Sequence, residues 1–367
     1  MLGMTISQKM QEGVASGVFA GGVLLIAHKR HICFHKAFGF AQLTPDRIPL
    51  TTSTLFDLAS LTKPLATTAA MALLIESGDL RLENPVSKFI PAYKAGEKRK
   101  ATLAHLLSHS AGLPAWKPYY IEIARQDKKE PGFLSSPAAK DTVYQMAVNE
   151  PLEHLPGTHS LYSDIGFMIL GNIMEKVTGE SLKKFCRDAI FLTLNATRTC
   201  FPGIGKKMKG TIAATEDCPW RGKVIRGEVH DDNAYAMGGV SGHAGLFSTA
   251  KDVFTLVRDW LNSIDGYGLI QHALAKKFLT RRSIPKGSSF GLGWDTPSLQ
   301  NSSSGHFFSP QSFGHLGYTG TSIWVDRVNE LTVILLTNRV HPARNNGQIK
   351  MFRPLLHDVI FKEIVGQ

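Results

Sequence analysis

The strand-like segments of this chain lie near its two ends, and this placement constrains the fold more than any other sequence feature. Residues 22–27 and 32–39 are mostly apolar runs separated by the polar residues 28–31, which predicts a β-hairpin. Residues 321–325 and 331–337 flank a second polar turn and predict another hairpin. One sheet buries two such hairpins most economically, so we expect an antiparallel sheet assembled from both chain ends.

The sequence between the hairpins has a mostly helical pattern. Residues 65–75 are rich in Ala, Leu and Met and are followed by Gly78, which predicts a buried helix with a glycine stop. Apolar spacing also predicts helices over residues 6–14 and 349–364. These elements predict an α+β fold in which helices flank the sheet and a mostly helical region is inserted. The predicted boundaries are 1–367 for a single unit, approximately 1–58 and 240–367 for its α/β part, and approximately 59–239 for its mostly helical part.

The composition excludes several classes of protein. The chain is 43% hydrophobic and 19% charged, which is typical of a globular protein with a large core and not of a disordered one. No run of 18 apolar residues exists, so we expect no membrane-spanning helix and no stable membrane anchor. The net charge of +11 is spread through short clusters such as residues 94–100, so we expect no nucleic-acid partner.

The four cysteines are too sparse for a disulfide scaffold and include no C-x-x-C pair. Reduced thiols fit a cytoplasmic protein, so we expect that location. Residues 13–27 are uncharged, but no convincing small-residue cleavage site follows them, which makes a cleaved signal peptide the weaker alternative. A periplasmic or secreted location stays open if a signal peptide precedes this sequence.

Residues 60–63 (S-L-T-K) place a serine and a lysine three positions apart at the start of the predicted buried helix. This spacing puts the Ser60 hydroxyl and the Lys63 amine on one helical face, one turn apart. Pro64 is tolerated only in a first helical turn, so the helix should begin near Ser60, where the helix dipole favours developing negative charge. A serine nucleophile needs a neighbouring base, and a desolvated lysine can fill that role. The alternative is a serine N-cap followed by an exposed lysine.

Residues 162–164 (Y-S-D) follow a Pro-Gly turn and precede an apolar helix over residues 165–177 that ends at Gly179. One interpretation makes Asp164 the N-cap of this helix and Tyr162 a packing residue. The other interpretation places Tyr162 in a proton relay with Lys63, while Asp164 points into the same cleft.

Residues 313–320 (F-G-H-L-G-Y-T-G) lead directly into the second hairpin. Three glycines weaken a strand unless the backbone must approach something closely. A ligand that lies along an exposed strand edge is one such reason, since a backbone N–H can then donate to an oxyanion. The alternative is a glycine-rich bulge with an exposed His315.

In this order and on these elements, the three motifs resemble those of the penicillin-recognising serine hydrolases, whose signature is S-x-x-K, S-D-N and K-T-G. The variant S-L-T-K, Y-S-D and H-L-G is most similar to the branch of class C β-lactamases, D,D-peptidases and family VIII esterases. Segments 106–114 (L-L-S-H-S-A-G-L-P) and 239–249 (G-V-S-G-H-A-G-L-F-S-T) are also similar to that branch. The resemblance runs from about residue 15 to residue 340, and it implies a β-lactamase/transpeptidase-like fold with a cleft between the sheet and the helical region.

The resemblance implies a role for each matched residue. Ser60 would be the acylated nucleophile, and Lys63 and Tyr162 would form its base network and later activate water for deacylation. The backbone N–H groups of Ser60 and Tyr318 would form the oxyanion hole. The substrate-binding positions would be Asp164, His315 and Gly317. We expect no metal and no cofactor, and a small-molecule ester, lactam or peptide as the substrate.

Two positions depart from the pattern of the branch. Asp164 stands where the branch usually has Asn, and an extra carboxylate near Lys63 would favour the charged form of that amine. Residues 315–317 (H-L-G) replace K-T-G and lose the cation and the hydroxyl that hold a free substrate carboxylate in the family. A histidine with a pKa of about 6.5 is mostly neutral at pH 7.

We therefore predict a serine hydrolase that forms an acyl-enzyme with a small ester or amide. A D,D-carboxypeptidase or a β-lactamase is the alternative within this class. A slow-deacylating penicillin-binding sensor is the alternative from another class, and burst kinetics would identify it.

Three other patterns point to different chemistry. His105 and His109 have the i, i+4 spacing of a helical zinc site, but they lack the Glu of H-E-x-x-H. Residues 230–232 (H-D-D) beside Asn233 lack partners at metal-ligand spacing, so we predict a polar loop there. Residues 239–243 (G-V-S-G-H) fail the last position of a G-x-S-x-G nucleophile elbow, which argues against an α/β-hydrolase.

Overall fold

The computed structural model describes residues 3–205 and 208–366. The strands within these ranges are β1 (Gly21–His28), β2 (His31–Gln42), β3 (Ile48–Pro49), β4 (Phe56–Asp57), β5 (Asp217–Cys218), β6 (Lys223–Val224), β7 (Phe247–Ser248), β8 (Phe313–Leu316), β9 (Ser322–Asp326) and β10 (Leu331–Thr337). Six of them form the main sheet in the order β3-β2-β1-β10-β9-β8, and every neighbouring pair is antiparallel. Two short ladders, β4–β7 and β5–β6, lie outside this sheet.

The central strands β1 and β10 join the two ends of the chain. Leu24 of β1 is paired with Leu335 of β10, and the register continues along the whole of β1 from Gly22 onward. Both strands are buried almost throughout, as expected for the middle of a sheet that is covered on both faces. The predicted α+β fold, with an antiparallel sheet built from both chain ends, is confirmed.

The α-helices within the described ranges are α1 (Met4–Ala15), α2 (Ala69–Glu76), α3 (Leu103–Leu107), α4 (Tyr119–Asp127), α5 (Pro137–Asn149), α6 (Asp164–Thr178), α7 (Leu182–Cys186), α8 (Asp232–Ala236), α9 (Ala250–Ile264), α10 (His272–Leu279) and α11 (Ile349–Ile364). The helix predicted over residues 349–364 has the same bounds as α11. The helical segment predicted over residues 65–75 begins earlier, with a 3₁₀ turn (Ala59–Leu61) and a π-helical turn (Lys63–Thr68). Its α-helical part, α2, follows these two turns. Such π turns occur frequently at functional sites.

Helices cover both faces of the main sheet. Leu24 and Ile26 of β1 pack with apolar residues of α1 and α11. Val23 and Leu25, which point to the opposite face, belong to a larger core shared with α9 and the helical region. The sequence of β1 is therefore apolar on both faces because neither face meets solvent. None of the helices that the structure describes combines the length and the apolar character needed to cross a bilayer.

Candidate active site

Ser60 lies in the 3₁₀ turn that directly follows β4. Asp57 organises this turn, because its Oδ1 accepts a hydrogen bond from the Ala59 N–H at 2.8 Å. The Asp57 Oδ2 accepts a second bond from the His230 N–H at 2.6 Å. Ala59 has a φ of 47°, a left-handed conformation that costs a non-glycine residue about 1–3 kcal/mol. Strain of this kind persists only where the surroundings enforce it, so the position of Ser60 is tightly held.

The segment after β8 also holds this turn in place. The Thr319 hydroxyl donates to the Asp57 carbonyl at 2.8 Å. The Thr321 hydroxyl donates to the Leu58 carbonyl at 3.0 Å. A Cβ on Gly317 would lie 2.0 Å from the Thr321 Oγ1 and 2.6 Å from the Leu58 oxygen. Glycine is therefore needed at position 317 because the chain itself, rather than a ligand, packs closely against it.

Lys63 is fully buried beside the serine hydroxyl. Its Nζ donates to the Ser60 Oγ at 3.0 Å, as the spacing of three residues predicts. It also donates to the Asp164 Oδ1 at 2.6 Å and to the His243 carbonyl at 3.3 Å. Burial alone would lower the pKa of Lys63, but the negative charge and the hydrogen bond of Asp164 outweigh burial and raise that pKa above its usual value. Lys63 is therefore an ammonium in the resting site.

Tyr162 completes the contact between the first two motifs. Its ring lies beside Lys63, with 4.8 Å between the Lys63 Nζ and the ring centroid, and it lines the same cleft as Ser60. Burial raises the pKa of Tyr162, so the resting form is the neutral phenol. The His109 ring packs against the Tyr162 ring with 4.5 Å between centroids, and the His109 Nδ1 accepts a hydrogen bond from the Ser163 N–H at 3.1 Å. Sequence patterns gave His109 no such role, and the structure shows that it fixes the second motif in place.

Asp164 is the first residue of α6, so of its two interpretations the one that makes it the N-cap of this helix is wrong. Ser163 is the N-cap, since its Oγ accepts a hydrogen bond from the Gly166 N–H at 3.2 Å and donates to the Pro114 carbonyl at 2.6 Å. The backbone of Ser163 is extended while Asp164 is already helical, so only the serine side chain can reach the free N–H groups. The Asp164 carboxylate instead forms the ion pair with Lys63.

His315 lies on β8 and is buried. The alternative of a glycine-rich bulge with an exposed His315 is therefore wrong. Its Nδ1 is 2.8 Å from the Leu316 carbonyl, and its Nε2 has no hydrogen-bond partner within the described residues. Burial, helped by the charge of Lys63, lowers the pKa of His315 to about 3. His315 is therefore neutral at pH 7 and cannot supply the positive charge that K-T-G carries.

These residues open into one cleft of about 660 Å³. Its lining includes Ser60, Tyr162, Phe290, His315 and Tyr318. The backbone N–H groups of Ser60 and Tyr318 are not bonded to any other group in the part of the chain that the structure describes. Two unbonded N–H groups beside a serine hydroxyl can receive the oxyanion of a tetrahedral intermediate.

A hydrogen-bonded Ser–His–Asp chain lies next to Lys63. The Ser241 Oγ is 2.8 Å from the His243 Nδ1, and the His243 Nε2 is 2.9 Å from the Asp231 Oδ1. Ser241 is 1% exposed and does not line the cleft, so a substrate cannot reach it. Ligand atoms of Asp164, Asp231 and His243 lie within 4.8 Å of one another. Because the Lys63 ammonium already neutralises Asp164, this group is poorly suited to hold a metal ion.

The other two histidine patterns have structural roles. The His105 Nδ1 accepts a hydrogen bond from the Thr102 N–H at the start of α3, while the Nδ1 of His109 is occupied as described above. These two histidines therefore do not form a zinc pair through those atoms. Residues 230 and 231 form a polar loop, as predicted, and Asp232 is the first residue of α8. The segment is largely buried and is held by ion pairs and hydrogen bonds, including the contact of His230 with Glu216.

Two functional candidates escaped the sequence patterns. Arg339 and Arg353 line the same cleft as Ser60 and are 9% and 4% exposed. No motif or spacing links either arginine to Ser60, because only the packing of α11 beside β10 brings them together. Their charge alone does not distinguish them among 41 Lys and Arg residues.

Comparison with known proteins gives a consistent result. Residues 6–355 match the family model described as Beta-lactamase. The chain is 38% identical over 347 residues to a protein of Escherichia coli (strain K12) that carries the provisional name D-alanyl-D-alanine carboxypeptidase. That match covers 87% of this chain and 78% of the relative. A Salmonella typhi protein with the same provisional name is 37% identical over 359 residues, with 89% of this chain and 80% of the relative covered.

Two solved structures share the fold at lower identity. The octameric penicillin-binding protein homologue from Pyrococcus abyssi matches with a TM-score of 0.72 and 23% identity, over 95% of this chain and 75% of that chain. EstCE1, a hydrolase with promiscuous acyltransferase activity, matches with a TM-score of 0.73 and 22% identity, over 97% of both chains. At these identities the likeness establishes the fold, and it is the fold that the three motifs implied.

Proposed function

The chain belongs to the Beta-lactamase family and is a serine hydrolase, and we propose that Ser60 is the nucleophile through which it forms an acyl-enzyme with small esters or amides. The observation that carries this proposal is the 3.0 Å contact between the Ser60 Oγ and the Lys63 Nζ, beside a cleft that Ser60 and Tyr162 line. Acyl transfer needs a nucleophile, groups that move its proton, and donors for the oxyanion. We assign Ser60 as the nucleophile, Lys63 and Tyr162 to proton movement, and the N–H groups of Ser60 and Tyr318 to the oxyanion.

The resting site must lose a proton before Ser60 can attack. Release of the Lys63 proton to solvent leaves a neutral amine, which accepts the Ser60 proton directly or through Tyr162. The Ser60 Oγ then bonds to the substrate carbonyl carbon, and the N–H groups of Ser60 and Tyr318 receive the negative charge on the carbonyl oxygen. The proton passes through Tyr162 to the leaving group, which departs as an alcohol or an amine.

Deacylation repeats these steps with water as the nucleophile. Water gives a proton to the Lys63–Tyr162 pair and bonds to the acyl carbon. The proton returns to the Ser60 Oγ as its bond to that carbon breaks. The products are a carboxylic acid and the free serine.

The neutral His315 bears on the choice of substrate. On the edge of β8 it stands where the family pattern has a lysine that holds a free carboxylate. An uncharged ester does not depend on that lysine, so we expect esters with short acyl chains to be better substrates than β-lactams.

The four cysteines are free thiols, which supports a cytoplasmic location.

A D,D-carboxypeptidase is the second candidate, because the relatives at 37–38% identity carry that provisional name. A panel of p-nitrophenyl esters of rising acyl length, nitrocefin and a peptide ending in D-alanyl-D-alanine distinguishes the candidates by kcat/KM. Release of one equivalent of product followed by silence would instead indicate the slow-deacylating sensor.

Covalent labelling tests the assignment of the nucleophile. Intact-mass spectrometry after treatment with a fluorophosphonate should show one adduct that maps to Ser60. Ser60→Ala should abolish the adduct. Ser241→Ala, which removes the serine of the buried Ser–His–Asp chain, should retain it. An adduct that persists in Ser60→Ala and disappears in Ser241→Ala would overturn the assignment.

A further inference from the structure

A positively charged wall, formed by the residues after β10 and the first turns of α11, borders the cleft. Its cationic side chains are Arg339, Arg344, Lys350 and Arg353. Arg344 is neutralised, because its Nε lies 2.7 Å from Glu216 and its Nη1 lies 3.0 Å from Asp232. The other three cations form no ion pair with a carboxylate within the described residues.

Arg353 is the most unusual of these side chains. It is 4% exposed, yet its guanidinium forms no hydrogen bond with any described residue, and its Nε is enclosed without a partner. Burial and the nearby charge of Arg339 lower the pKa of Arg353 to about 10. A buried guanidinium beside a second guanidinium destabilises the protein unless an anion compensates for it.

Arg339 is held rigidly beside Arg353. Its Nε donates to the Tyr318 carbonyl at 2.8 Å. Its Nη1 donates to the carbonyls of Arg344 and Asn346 at 2.9 Å and 2.6 Å. Its guanidinium carbon also lies 4.4 Å from the centroid of the Tyr318 ring. Arg339 therefore presents a fixed positive charge, and it is bonded to the residue whose N–H faces the reacting carbonyl in the proposed mechanism.

We propose that Arg353 and Arg339 form an anion subsite that binds a carboxylate carried by the substrate whose acyl group reacts at Ser60. This inference rests on the proposed function and narrows its substrate class to esters or amides with a free carboxylate. The planar guanidinium of Arg353 can donate two parallel hydrogen bonds to the two oxygens of a carboxylate.

No acidic side chain of the described residues pairs with Arg339 or Arg353. Asp295 is the acidic residue of the cleft lining, and its Oδ1 already accepts a hydrogen bond from the Thr296 N–H at 2.9 Å. It forms no ion pair with Arg339 or Arg353 in the described structure. An anion from outside the chain is therefore needed, and in this cleft the substrate is the molecule that enters.

Two matched substrate pairs test the subsite. The first pair, p-nitrophenyl butyrate and mono-p-nitrophenyl glutarate, differs by a carboxylate on the acyl chain. The second pair, phenyl butyrate and 3-carboxyphenyl butyrate, differs by a carboxylate on the leaving group. For each pair the quantity measured is the ratio of kcat/KM for the carboxylated ester to kcat/KM for the neutral ester.

Arg353→Met should lower this ratio at least tenfold in one pair, and that pair identifies the side of the scissile bond that faces the subsite. Arg353→Lys keeps the charge but loses the planar fork, so it should lower the same ratio by a smaller factor. Lys362→Met is the matched control, because it removes one positive charge from an exposed position of the same helix and should leave both ratios within twofold of their wild-type values.

Unchanged ratios in both pairs for Arg353→Met and Arg353→Lys would overturn the subsite. A merely structural role for Arg353 would lower the rates of both members of a pair together and would leave the ratio unchanged. Failure of the proposed function is a separate result, because Ser60→Ala would then hydrolyse the neutral esters as fast as the wild type.

Discussion

Replacement of Asp164 by Asn should change the pH dependence of the reaction. The Asp164 Oδ1 lies 2.6 Å from the Lys63 Nζ, and the two side chains are 18% and 0% exposed, so solvent screens this ion pair weakly. In the proposed mechanism Lys63 must be neutral to accept a proton. Asp164 therefore holds Lys63 in its inactive form, and kcat/KM should rise with pH as the ammonium loses its proton.

The size of the effect follows from the contact that is removed. A hydrogen bond to a charged group is worth about 1.5–3 kcal/mol, and about 1.36 kcal/mol corresponds to one pKa unit. Asp164→Asn should thus lower the pKa of Lys63 by about one to two units. The fraction of neutral amine changes tenfold for each unit, so the variant should be about 10–100-fold faster at any pH below both transitions.

The assay is kcat/KM for p-nitrophenyl acetate, measured across the pH range in which the protein stays folded. Asp46→Asn, which removes one negative charge from an exposed loop, is the control and should leave the profile unchanged. A profile for Asp164→Asn that coincides with the wild type would refute the argument that Asp164 controls Lys63. Loss of activity by about 10² or more at every pH would show that Asp164 itself carries the proton.

Three further predictions concern the proton relay, the choice of substrate and the stability of α6. Tyr162→Phe and Lys63→Ala should each lower turnover by roughly 10²–10⁴-fold without unfolding the protein. The double variant should lose much less than the product of the two factors, because the two groups act as one relay; full multiplication would show that they serve separate steps. Wild type should hydrolyse p-nitrophenyl acetate faster than nitrocefin, and the combined change His315→Lys with Leu316→Thr should raise the nitrocefin rate relative to the ester by about one to two decades. A faster wild-type rate on nitrocefin, or a ratio that the double change leaves untouched, would contradict this prediction. Ser163→Ala should destabilise the protein by about 0.5–2 kcal/mol in chemical unfolding, because it removes the cap of α6, and an unchanged midpoint would show that the cap contributes nothing.

The features that sequence patterns predicted are those that depend on neighbours along the chain. The hairpins and α11 follow from local apolar periodicity, and the contact of Ser60 with Lys63 follows from a spacing of one helical turn. The N-cap of α6 was harder to assign, because Ser163 and Asp164 are both good caps and the choice depends on backbone angles at one residue. Sequence patterns alone could not have revealed the pairing of Arg339 with Arg353, since it exists only after α11 packs beside the sheet.

The two departures from the family motifs both change the charge of the cleft. Asp164 adds a negative charge where the branch usually has Asn, and the neutral His315 removes a positive charge where it has Lys. Arg339 and Arg353 lie on the positively charged wall and have no carboxylate partner in the described ranges, so they return two positive charges to the cleft at a different place. A bicyclic lactam holds its carboxylate at a fixed distance from the reactive carbonyl, whereas an open-chain ester or peptide can extend until its carboxylate reaches that wall. The relocation of positive charge from the edge of β8 to the positively charged wall should therefore favour flexible carboxylated substrates over rigid β-lactams.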